Sequence, residues 1–81
     1  MWDSVLLKRG YNLDKFVKDR NSVVRRIVAE QGYGLDKLIN DKDTDVRMAV
    51  ADQGYGLDRL AKDEDPDVRA HALKALLKSK E

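Results

Sequence analysis

Apolar residues recur along this chain in short groups at helical spacing, and glycine interrupts them at regular intervals. Near the middle, Leu35, Leu38 and Ile39 stand at i, i+3 and i+4, which places them on one face of a helix. Val46, Ala49 and Val50 repeat that spacing a few residues later. The pattern predicts a short helix over about 35–40 and a longer one over about 44–53.

The same arrangement occurs three times. Gly10-Tyr11, Gly32-Tyr33 and Gly54-Tyr55 are separated by 22 residues at each step, giving units 10–31, 32–53 and 54–75. Seven of the 22 positions are identical in all three units. Besides the Gly and Tyr they are Leu13, Leu35 and Leu57; Asp14, Asp36 and Asp58; Asp19, Asp41 and Asp63; Val24, Val46 and Val68; and Arg25, Arg47 and Arg69. Start signals precede each second helix. Asn21, Asp43 and Asp65 stand at the N-cap position, and Pro66 follows as a first helical residue. Gly32 and Gly54 suit the left-handed position just past a helix end. Tyr33 and Tyr55 should then pack back on Val28 and Val50.

The two ends depart from the repeat. Residues 1–9 keep the register of a second helix, with Val5 and Leu6 where Ile27 and Val28 fall, and read as an N-terminal half-unit ended by Gly10. Trp2 would cover its open side. Leu76 and Leu77 replace the Gly-Tyr pair, so the last helix should run to about Ser79, with 76–81 as a capping extension. The expectation is a single all-α domain over 1–81, a short right-handed α-solenoid of stacked two-helix repeats with a 22-residue period.

The run Leu35-x-x-Leu38-Ile39-x-Asp41-x-Asp43-x-Asp45-Val46-Arg47-x-Ala49-Val50-Ala51 resembles the core of a HEAT-type helical repeat, and Leu57 to Arg69 repeats it. The 22-residue period is shorter than an ordinary HEAT unit and is closer to the leucine-rich repeat variant. The resemblance implies an inter-repeat hydrogen-bond ladder formed by Asp19, Asp41, Asp63, Arg25, Arg47 and Arg69. It also implies a scaffold that binds proteins. The iron–sulfur cluster of one variant-repeat protein needs cysteines, which this chain lacks.

Candidate chemistry is sparse. Without cysteine there is no thiolate nucleophile or zinc–thiolate site, and the composition fits a reducing, cytoplasmic setting. No apolar run approaches the roughly 18 residues of a membrane span, and residues 1–9 lack a signal-peptide core. Asp41-x-Asp43-x-Asp45 and Asp63-x-Asp65-x-Asp67 resemble the start of a calcium loop, but Val46 and Val68 stand where that loop needs glycine. Helix capping is the simpler role for those carboxylates. His71 is the only histidine and aligns with Ile27 and Ala49, which places it at a helix–helix interface. No nucleophile–base pair stands out, so the chain reads as a non-enzyme without a cofactor.

The net charge is +1 at pH 7, but it is unevenly spread: +4 over 1–29, −6 over 30–67 and +3 over 68–81. Lys15, Lys37 and Arg59 form a repeated basic row on the short helices. Together with Tyr11, Tyr33, Tyr55, Arg26 and Met48 they make up the expected partner surface, with Ala70 a further variable position. The leading expectation is a non-catalytic protein–protein interaction scaffold. The alternatives are nucleic-acid backbone binding through the N-terminal basic face, which the acidic middle opposes, and self-association through the exposed ends.

Overall fold

The computed structural model describes residues 13–79. These form six helices with no strand among the described residues: α1 (Leu13–Val17), α2 (Ser22–Glu30), α3 (Leu35–Leu38), α4 (Thr44–Asp52), α5 (Leu57–Leu60) and α6 (Pro66–Ser79). Short and long helices alternate, and corresponding helices start 22 residues apart. The half-unit 1–9, Trp2, Val5, Leu6, Gly10 and Tyr11 lie outside the described residues. No helix among the described residues is long and apolar enough to cross a membrane.

The long helices start where the capping residues stand. The carboxamide of Asn21 accepts the Val23 N–H at 2.8 Å, and Asp43 accepts those of Asp45 and Val46 at 2.8 and 3.3 Å. Asp65 does the same for Asp67 and Val68, ahead of a helix whose first residue is Pro66. Each contact satisfies amide donors that the first helical turn leaves without intrahelical acceptors.

Glycine ends α2 and α4. Gly32 (φ +79°) donates to Ala29 O at 2.9 Å and Tyr33 to Val28 O at 3.3 Å. Gly54 (φ +80°) and Tyr55 repeat those bonds on Ala51 and Val50. This paired closure is the Schellman arrangement, and it needs a left-handed residue that glycine supplies without Cβ strain. At the corresponding place Leu76 and Leu77 let α6 run on to Ser79.

The short helices are shorter than the apolar spacing predicts. α3 ends at Leu38, not Asn40, and Ile39 serves as its cap. The amides of Asn40 and Asp41 close back on Lys37 O and Leu38 O at 3.2 and 3.0 Å, a tighter turn than an α-helix makes. That turn brings the Asp41 carboxylate beside the start of α4, where it accepts the Asp43 N–H at 2.9 Å.

α4 packs between α2 and α6, while α3 touches α2 and α4 and α5 touches α4 and α6. Val46, Val50, Leu38, Leu60 and Val68 are the largest fully enclosed side chains. Each contributes roughly 1.5–3 kcal/mol through burial. Ala29 and Ala51, at equivalent places in consecutive long helices, are wholly buried.

Candidate functional site

A repeated charged seam joins the units. Arg25 Nε and Nη2 donate to both oxygens of Asp41, at 2.7 and 3.1 Å. Its Nη1 donates to the carbonyls of Asp19 and Arg20, at 2.6 and 3.1 Å. Arg47 repeats the pattern, donating to both oxygens of Asp63 at 2.9 and 3.2 Å and to the Asp41 carbonyl at 2.6 Å. Each guanidinium thus grips a carboxylate of the following unit and a carbonyl of its own. A planar fork matches this bidentate geometry, which an ammonium group cannot reproduce. The Arg25 pKa lies above its ordinary value because of the hydrogen bond to Asp41, which outweighs the opposing effect of burial.

The seam ends asymmetrically. Arg69 Nη1 donates to the carbonyls of Asp63 and Glu64, at 2.7 and 3.1 Å, but Arg69 has no carboxylate partner among the described residues. Asp19 accepts the Asn21 N–H at 2.8 Å, with no guanidinium on its carboxylate among the described residues. The acidic runs are used locally: Asp41, Asp43, Asp63 and Asp65 all accept backbone amides. No group of three or more metal-ligating side chains occurs among the described residues.

Three further side-chain contacts join residues 19 apart, a pattern the apolar spacing does not disclose. Tyr33 donates its phenol proton to Asp14 Oδ1 at 2.6 Å. Arg59 Nη2 donates to Asn40 Oδ1. His71 Nδ1 lies 2.7 Å from Asp52 Oδ1. Each separation is three residues short of the 22-residue repeat, so each contact joins one sequence unit to the next. His71 sits at the α4–α6 junction as expected, and it lines an open depression of about 350 Å³ with Asp52, Lys74, Ala75 and Lys78.

The expected partner surface is not one uniform row. Lys15 and Lys37 are exposed, whereas Arg59 is tied to Asn40. Tyr33 is half-buried and held by Asp14, while Tyr55 is exposed. Met48 is a correction to the expected exposure: it packs half-buried against the core, because its side chain extends over the apolar contact of α4 with its neighbours. Arg26 is only half open to solvent. Its Nε is buried without a hydrogen-bond partner and lies 3.8 Å from Glu30. Ala70 is exposed. Large apolar side chains missing from that expected surface are open at two places, Val23 and Ile27 on α2 and Leu73 and Leu77 on α6. For Leu73 the signal was a large residue in the register of Ala29 and Ala51, which the structure shows buried.

No family model, curated protein or solved structure matches the chain.

Proposed function

We propose that the chain is a non-catalytic protein–protein interaction scaffold, a short right-handed α-solenoid of HEAT-like units closest to the leucine-rich repeat variant. The observation that carries the reading is the pair of seams made alike by Arg25–Asp41 and Arg47–Asp63, each 16 residues apart. Repeating one junction leaves positions outside it free to differ from unit to unit, as the equivalent Arg26, Met48 and Ala70 do, with Ala70 the exposed one of the three. Such differences give a stacked repeat an extended surface with its own specificity.

The test is capture of partners from a lysate of the source organism on the immobilised full chain, at several salt concentrations and with nuclease treatment. The expected result is saturable, nuclease-resistant capture of protein. Capture lost on nuclease treatment and falling steeply with salt would assign the surface to nucleic acid instead. Light scattering of the chain alone should give a monomer; growth of mass with concentration would make self-association its role.

A further inference from the structure

We infer that the outer face of α6 is a docking site for an acidic amphipathic helix of a protein partner, an inference that rests on the scaffold reading and names its surface. Leu73 is 50% exposed and Leu77 66% exposed, one turn apart on the same side of the helix. Exposed Ala70 joins their stripe. Arg69 borders it on one side, and the exposed Lys74 and Lys78 border it on the other. The apolar stripe is therefore edged with cations on both flanks, with exposed Asp67 the one carboxylate among the described residues there, at the N-terminal end of the lysine flank. Its complement is a helix whose own apolar stripe is edged with carboxylates.

The inner seams show how a carboxylate of such a helix would be gripped, although there the carboxylates stand on interhelical turns. In α4, Arg47 uses Nε and Nη2 for the next unit's carboxylate while Nη1 stays on its own carbonyl. Arg69 keeps the carbonyl contacts, and among the described residues no carboxylate meets its other nitrogens. Ala51, the residue of α4 in register with Leu73, is wholly covered. At Leu73 the α6 face thus continues a position that α4 buries, with the same donor fork one turn before it. Leu73 replaces the small alanine, so the occupant is held further out than a unit of this chain would be. The like positive charge of the described segments 13–29 and 68–79 also disfavours a second copy stacked end to end.

Two helix-stabilised synthetic peptides serve as probes, sharing one leucine stripe and flanked by glutamates in one and by lysines in the other. Amide shifts of the isotope-labelled full chain report where each binds. The acidic peptide should perturb residues 69–78 and bind at least about tenfold more tightly than the basic one, a difference of ~1.4 kcal/mol. Arg69→Ala and Leu73→Ser should each weaken it several-fold, with the remaining spectrum unchanged to show an intact fold. Equal binding of the two peptides, shifts centred elsewhere, or undiminished binding by both variants would overturn the proposal. So would concentration-dependent broadening of α6 without peptide, which would make a second copy the occupant. If the variants still capture proteins from the lysate as the unaltered chain does, the α6 site fails while the scaffold reading stands. If the unaltered chain captures none, the scaffold reading fails as well.

Discussion

Tyr33 illustrates how one side chain acquires a property its position in the repeat does not specify. Its phenol donates to the Asp14 carboxylate, and its pKa is raised above the ordinary 10.0 by that hydrogen bond first, then by desolvation and by the charge of Asp14. The folded chain therefore holds this proton more tightly than the unfolded chain. The resulting stabilisation is fully present below the unfolded value and is lost as pH rises through the raised one. In an alkaline titration followed by tyrosinate absorbance, Tyr33→Phe should remove a late-titrating component, and Asp14→Asn should move that component to lower pH. A uniformly smaller curve for Tyr33→Phe would show that the bond to Asp14 does not hold in solution. The Gly-Tyr pair announced the backbone closure onto Val28, because that depends only on local chain geometry. It could not announce Asp14, because that contact depends on the angle between successive helices.

At the scale of the element, glycines occupy two kinds of junction, and only one was legible. Gly32 and Gly54 end long helices, as their place after an apolar run indicates. Gly34 and Gly56, two residues on, are also left-handed, at φ +68° and +63°, and stand at the start of α3 and α5. Nothing in helix periodicity distinguishes this second pair, because their need for glycine comes partly from the preceding unit. A Cβ at Gly34 would lie 2.7 Å from Val17 Cγ2, and one at Gly56 would collide with Ile39 Cδ1. A Cβ at Gly54 meets nothing within 4 Å. Gly54→Ala should therefore lose only the backbone cost, about 1–2 kcal/mol. Gly34→Ala should lose that and a further ~1–3 kcal/mol, because Val17 is a packed core residue. Urea melts of the two variants compare them directly. Equal losses would mean that the α1–α3 junction is looser than the contact with Val17 requires. The early end of α3 was hidden for a related reason. Ile39 fits the helical stripe, but the chain turns there to bring Asp41 to Arg25.

Across the whole molecule the repeated Asp and Arg announced a seam, while the direction of their pairing became visible only in three dimensions: each arginine reaches forward to the next unit's carboxylate. That direction makes otherwise equivalent arginines unequal. Arg47→Ala removes both bonds to Asp63 and the bond to the Asp41 carbonyl. It leaves the Asp63 carboxylate, whose side chain is 11% exposed, without its cation. Breaking a fully buried pair costs about 3–5 kcal/mol and an exposed one under about 1 kcal/mol, so a loss of roughly 2–4 kcal/mol is expected. Arg69→Ala removes carbonyl contacts without stranding a carboxylate among the described residues, and should lose about 1–2 kcal/mol. Asp63→Asn separates the charge from the rest of the seam. The amide oxygen can still accept the Asp65 N–H, while the uncompensated negative charge disappears. In the Arg47→Ala background this second change should therefore cost less than it does alone, giving a coupling of about 1–3 kcal/mol in a double-mutant cycle. Additive losses, together with equal losses for Arg47→Ala and Arg69→Ala, would show that the carbonyl contacts hold the units together and that the grip on the next unit's carboxylate contributes nothing measurable.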